Sequence, residues 1–292
     1  MPTQIRPIDH VVLAARDLAK LTEFYERLGF LVGARNKHPW GTQNHIVQFA
    51  GSFLELISTG PGFVRPTNLA PHSMSFPAFI HDYLQRREGP AMLALASEDA
   101  TADRESFIKA AIGNFETFHF ARRGRRPDGS DTEVAFTLAF ARSNLMAGTG
   151  FFTCQHHHPD NFWTAELQDH PNSAVAIEGV VMVAENPAAH AEFLSHVTGQ
   201  REMSSTSMGL ELAIGRQKLD VLTPVAFAFR YGEAIDPADG EPRIAAVRIR
   251  VLNPDMIRAF LTAAGVEPIE KPGALIVPAA QAFGTVLVFE TN

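Results

Sequence analysis

Residues 7–30, "PIDHVVLAARDLAKLTEFYERLGF", carry a strand, a helix start and a helix stop in one short stretch. The apolar run after His10 has the look of a buried strand. Asp17 then offers a side-chain oxygen to free backbone N–H groups, as an N-cap does. Leu21, Phe24 and Leu28 follow at helical spacing, and Gly29 suits the left-handed residue that closes a helix. His10 stands at the mouth of the strand. Whether it is a metal ligand or merely a polar residue that begins a strand decides how the chain is read.

The same pattern recurs three times. Residues 92–113, "MLALASEDATADRESFIKAAIG", align Asp99, Phe107 and Gly113 with it. Residues 180–199, "VVMVAENPAAHAEFLSHVTG", align Asn186, Phe193 and Gly199. Residues 247–265, "VRIRVLNPDMIRAFLTAAG", align Asn253, Phe260 and Gly265. Pro187 and Pro254 sit at the first helical position, where a missing N–H costs nothing. Short apolar runs follow each helix, such as "NHIVQFA", "SFLELIS" and "GFFTCQH". The chain therefore reads as α+β, four βαβββ units in two pairs, with residues 1–160 forming one pair and 161–292 the other. No unit is large enough to stand alone, so units pair. Residues 59–90 read as a Pro-rich connection with a short helix, residues 157–175 as the link between pairs, and residues 224–242 as a loop-rich connection.

Of the 292 residues 46% are hydrophobic and 20% charged, and the formal net charge is -7, which gives no basic face for a phosphate backbone. No nucleic-acid partner is expected. No apolar run is long enough to span a bilayer. The start "MPTQIRPIDH" lacks the apolar core of a signal peptide, and the single Cys154 permits no internal disulfide. These features point to the cytoplasm. GxGxxG, GxxxxGK[ST] and GxSxG motifs are absent.

The stretch "IDHVVLAARDLAKLTEFYERLGF", followed by "HPWGTQNHIVQFAGSFLELI", and later "FFTCQHHHPDNFW", resembles the vicinal oxygen chelate superfamily. That superfamily includes glyoxalase I, extradiol ring-cleaving dioxygenases and bleomycin-resistance proteins. The resemblance implies that each pair of units curls a mixed sheet around a cleft, with a metal held by the first and last strands of each unit. It places His10 and Glu55 as ligands. Met92, Gly179 and Ala246 stand where His10 does in the other units and supply no similar ligand. Asp220 aligns with Glu55, and Val288 occupies that place in the fourth unit. The C-terminal pair thus reads as degenerate and structural.

A further ligand is expected from "FFTCQHHH". Side chains alternate along a strand, so Phe152, Cys154 and His156 share one face and Thr153, Gln155 and His157 the other. His156 is the expected third ligand, with Gln155 or His157 serving if the parity is opposite. Imidazole with carboxylate suits Zn, Fe, Mn, Ni or Co. Glu55, flanked by Leu54 and Leu56, is costly to bury unpaired; an arginine would satisfy it as well as a metal. Trp40 and Asn44 are candidate substrate contacts or parts of a self-packed hairpin. Gln155 is a further substrate-binding candidate. Arg123, with Arg122, Arg125 and Arg126, has the guanidinium chemistry to grip a carboxylate or phosphate, against the plainer reading of a solvated loop. Cys154 reads as a small core residue, and Trp163 and His170 as docking the linker.

The resemblance and these residues together imply a metal-dependent glyoxalase-like enzyme of lyase or isomerase type, with Glu55 as its base, acting on a small substrate with two neighbouring oxygens. An Fe(II) extradiol dioxygenase is the second reading, and a metal-free small-molecule-binding protein the third. A homodimer is expected, because sheet edges and paired units suit symmetric contacts.

Overall fold

The computed structural model describes residues 4–67, 70–125, 131–235 and 240–291. The first unit is β1 (Ile8–Ala14), α1 (Leu18–Arg27), β2 (Asn36–Lys37), β3 (Thr42–Phe49) and β4 (Ser52–Thr59). Helix α2 (Phe76–Arg86) leads to the second unit: β5 (Gly89–Ser97), α3 (Ala100–Lys109), β6 (Phe118–Arg125), β7 (Asp131–Ala141) and β8 (Gly150–His156). After the short α4 (Pro159–Phe162) come β9 (Ala174–Val183), α5 (Ala191–Thr198), β10 (Ser204–Thr206), β11 (Gly209–Ile214) and β12 (Gln217–Leu222). Helix α6 (Pro224–Tyr231) precedes β13 (Arg243–Val251), α7 (Pro254–Ala263), β14 (Ile269–Lys271), β15 (Ala274–Val277) and β16 (Val286–Glu290).

Each half forms one 8-stranded mixed sheet, in the order β2-β3-β4-β1-β5-β8-β7-β6 and β10-β11-β12-β9-β13-β16-β15-β14. The first strand of each unit lies parallel to its fourth, and the two first strands of a pair meet antiparallel at the centre. The second half is thus built as the first is. All four units carry the full βαβββ set, because β10 and β14 are short edge strands that the apolar pattern does not reveal. In the first unit, "FLVGARN" contributes only Asn36 to a strand.

The helix signals hold with two exceptions. Asp17, Asp99 and Asn253 accept backbone N–H bonds at their helix starts, whereas the Asn186 side chain makes no such bond and a 3-10 turn precedes α5. Gly29, Gly199 and Gly265 take positive φ, but after α3 the left-handed residue is Ala111 rather than Gly113. The expected loop at 224–242 is corrected by α6: Thr223 accepts from Ala226 N, and Phe227 and Tyr231 are buried. Its "DPAD" lies outside the described residues.

Strand alternation sends one face of both sheets into a shared core. Val11 and Leu13 of β1 join Val180 and Met182 of β9 there, with α1, α5 and α7 contributing Leu21, Leu194 and Ile257. Arg6 crosses this junction, donating to Asp103 and to the Val197 carbonyl. The linker docks as expected of His170: Leu31 N donates to its Nδ1 at 3.0 Å and its Nε2 meets Gln48 O at 2.8 Å. The opposite face of each sheet is concave, and Val12, Ala14 and Ile57 pack there against α2 in the first half. Among the described residues no helix is long and apolar enough to cross a membrane.

Candidate active site

The concave face of the first sheet is only partly covered by α2, and the rest is a cleft with ≈ 770 Å³ of empty space, part of it open to solvent. That is the size of ordinary small-molecule sites. Phe53 of β4, Phe152 of β8 and Phe76 of α2 form its floor, and Phe118, Phe120, Phe136 and Phe162 its walls. The sheet curls until its two edges approach. Trp40, between β2 and β3, sits edge-on to Phe118 and Phe120 of β6 at 5.0 and 4.9 Å. Arg122 of β6 donates to Asn36 of β2, joining the same two edges.

His10 and Glu55 both face this cleft, on neighbouring strands. Their Nε2 and Oε2 atoms lie 3.9 Å apart, and both side chains are buried. Among the described residues the carboxylate has no arginine partner. Instead Asn44 Nδ2 donates to Oε1 at 2.5 Å, leaving Oε2 toward His10. Asn44 in turn accepts from Asn36 Nδ2 at 3.1 Å. Phe53 stacks on the His10 ring with centroids 4.2 Å apart.

Asp9 is the residue that sequence reasoning missed. Strict alternation would turn it away from His10. A bulge breaks the register between Ile8 and His10 against β5, so Asp9 is the extra residue and reaches the same side. Its Oδ2 meets His10 Nδ1 at 2.6 Å and its Oδ1 meets His156 Nε2 at 3.0 Å. Burial is the largest influence on Asp9 and would raise its pKa; the hydrogen bonds and charge of the two imidazoles outweigh it and hold the carboxyl at about 2. An ionised Asp9 accepts from His10 Nδ1, which leaves Nε2 directed to the cleft and Glu55. The "DH" pair was visible in the sequence, but the bulge was not.

The other expected site residues divide. His156 does lie on the Phe152–Cys154 side of β8, against Phe136 and Phe162, with Trp163 stacked on its ring. Its Nε2 is engaged by Asp9, not by the His10–Glu55 pair, and its Nδ1 is buried without a partner. Gln155 is on the opposite face, where its side chain bonds Ala100 N and Glu98 O, so it does not reach the cleft. Trp40 and Asn44 line the cleft. Arg123 points outward and pairs with Glu133 at 2.8 Å, while Arg122, in step with Phe118 and Phe120, faces the cleft. The Arg125 side chain and Arg126 lie outside the described residues.

An ion can touch both His10 Nε2 and Glu55 Oε2, because donor distances of about 2.1 Å each span 3.9 Å. Among the described residues, the group whose donor atoms all come within 4.8 Å of one another is Asp9, His10 and Cys154. That group is less suited to a cation. Both Asp9 oxygens are already used by imidazoles, and burial, with the nearby Asp9 and Glu55 charges, pushes the Cys154 thiol well up, keeping it protonated. The His10 imidazole and the Glu55 carboxylate oxygen on the floor are the better donors.

A sequence model described as "Glyoxalase-like domain" matches residues 8–198. The chain belongs to the glyoxalase-like domain family. A search of curated proteins finds no match. Among solved structures, the glyoxalase-like chain is similar to a hypothetical protein from Staphylococcus aureus, with TM-score 0.69 and 11% identity over 98% of this chain and 99% of the other. It is also similar to the Mn(II)-bound glyoxalase from Novosphingobium aromaticivorans (TM-score 0.57, 13% identity, 99% and 83% covered). A mutant 4-hydroxymandelate synthase from Streptomyces coelicolor is similar at TM-score 0.56 and 12% identity, with 100% and 94% covered. These likenesses place the chain on the vicinal oxygen chelate fold.

Proposed function

We propose that the N-terminal cleft is the active site of a metal-dependent lyase or isomerase that takes a small substrate with two neighbouring oxygens. The observation that carries the reading is the pairing, 3.9 Å apart on an apolar floor, of an imidazole nitrogen and a carboxylate oxygen that no arginine or lysine among the described residues pairs with. His10 Nε2 and Glu55 would hold a divalent metal; Mn, Zn, Fe, Ni and Co all accept such donors. When bound, the metal supplies Lewis-acid stabilisation of charge developing on the substrate oxygens.

The chain's own groups do the rest. Asp9 fixes the tautomer of His10 and, through its second oxygen, orients His156, which acts as a positioning residue. Asn44 holds Glu55 by one oxygen. Its other oxygen, once released from the metal, would take a proton from carbon next to the substrate oxygens, as a general base. The aromatic walls exclude water and strengthen each of these interactions.

Metal analysis of protein purified without chelator tests the reading. About one ion per chain is expected, lost in His10→Ala and in Glu55→Ala. Solvent proton exchange into α-hydroxycarbonyl compounds is expected with the metal-loaded protein, while oxygen uptake with catechols would point to dioxygenase chemistry instead. A wild-type protein that takes up no divalent metal overturns the proposal. The second reading, a metal-free binding protein, is favoured by one observation. Strand register matches His10 and Glu55 of the first unit to Met92 and Phe152 of the second, both apolar. That protein would be stabilised by its ligand without any metal.

A further inference from the structure

Arg122 differs from the arginines of this chain that are held by carboxylates. Arg6, Arg65, Arg104, Arg123 and Arg248 each face a carboxylate within 3 Å. Arg122 is exposed at the cleft rim and, among the described residues, has only the neutral amide oxygen of Asn36. Burial pushes its pKa down, so the site disfavours a lone cation there. A guanidinium has five donors in a rigid fork, and one amide oxygen leaves most of them open. Beside it on the same strand face, Phe118 and Phe120 lead inward to the apolar walls. From Arg122 a chain of amides runs through Asn36 and Asn44 to Glu55, connecting the rim to the floor.

We infer that the cleft selects an aromatic molecule bearing an anionic group, carboxylate or phosphate, with that group held by Arg122 at the rim and the ring seated among the phenylalanines. The inference rests on the reading of the same cleft as an active site and names the class of its substrate. Charge complementarity is the reason: an anion at the rim supplies the counter-ion that the fold withholds from Arg122. At the floor, the ionised Asp9 and the Glu55 carboxylate repel an anion unless a metal lies between, so the anionic end belongs at the rim.

Calorimetric titration with 2-naphthoate, 2-naphthyl phosphate and 2-naphthamide tests this, with Mn(II) and separately with chelator. At least one anion is expected to bind about tenfold tighter than the amide in both conditions, as a charge-assisted hydrogen bond predicts. The carboxylate and phosphate arms tell which anion fits. Arg122→Gln is expected to erase the preference, and Arg122→Lys to keep part of it. Asn36→Ala, which cuts the rim contact but leaves the guanidinium, and Arg123→Gln are expected to keep it. Equal affinity for acid and amide, a preference that survives Arg122→Gln, or no binding at millimolar concentrations overturns the inference. A preference that needs Mn(II) and is lost in His10→Ala instead places the anion on the metal, which overturns this assignment while supporting the proposed function. A preference intact in a protein that binds no metal does the reverse.

Discussion

The two concave faces of this molecule have the same strand order and opposite contents. In the first, His10 and Glu55 meet across β1 and β4 beneath an open aromatic cleft. In the second, register places Gly179 and Asp220 at the matching positions of β9 and β12. A side chain at 179 has no room, since a Cβ there would fall on the Lys218 backbone. Helix α6 covers the face with Phe227 and Tyr231. Arg248 occupies the polar centre, forked onto Glu290 at 2.8 and 2.9 Å and 3.5 Å from Asp220, and Arg230 lies 3.3 Å from Asp220 on the other side. One sheet buries its carboxylate against guanidinium groups; the other leaves its carboxylate beside an imidazole. On the proposed reading, the first arrangement is structural and the second keeps a place for an external cation.

The largest expected effect breaks this contrast at its centre. His10→Ala or Glu55→Ala should lower metal-dependent turnover by about 100-fold or more, as loss of an essential ligand or base does. Asp220→Asn should leave metal content near one ion per chain; equal loss in both halves would show that the second face also holds metal. Next in size is the ion cluster of the second half. Arg248→Met leaves the half-buried Glu290 without its partner and the buried Asp220 with Arg230 alone, and should cost about 3 kcal/mol in denaturant unfolding, with N-terminal metal uptake unchanged. Removing all three charges, with Leu at 220 and 290, should recover most of that loss. No recovery would mean that the cluster does more than neutralise itself.

Asp9→Asn sharpens the role of the bulge. The folded pKa of Asp9 is depressed from 3.8 to about 2, so its contribution is present above pH 4 and is lost as the pH falls toward 2. That contribution is about 2 kcal/mol. The variant should therefore lose stability at neutral pH and show a flatter acid limb between pH 4 and 2, measured by urea unfolding. The smallest effect concerns His170 at the junction of the halves. Burial lowers its pKa below 6.5 against the opposing bond to Gln48 O, and protonation would remove the bond that its Nδ1 accepts from Leu31 N. Stability should be full above pH 6.5 and fall gradually below it, and His170→Gln should remove that part of the slope.

Much of the fold was legible because its signals are local. Strand β8 and β11 begin and end where their apolar runs do. Capping side chains mark three helices, and Phe24, Phe107, Phe193 and Phe260 recur at matching points of four helical segments. What escaped lacks a local signal. Strands β10 and β14 are short edges with few buried side chains. Helix α6 is the exception: Thr223 caps it and Gly232 closes it, but its buried stripe is only Ala226, Phe227 and Tyr231. In the site, parity alone separates Arg122 from Arg123, and the same alternation puts Gln155 behind the sheet.

By itself, the sequence determined the repeat and the α+β class, which follow from spacing that a chain carries before it folds; the pairing of an imidazole on a first strand with a carboxylate on a fourth was implied by the family resemblance. Only the tertiary structure decided that Asp9 bridges two histidines, that Arg122 faces the cleft rim, and that Arg248 fills the second concave face. Each of these depends on a bulge, a curl or a register, and such features exist only once distant strands have paired.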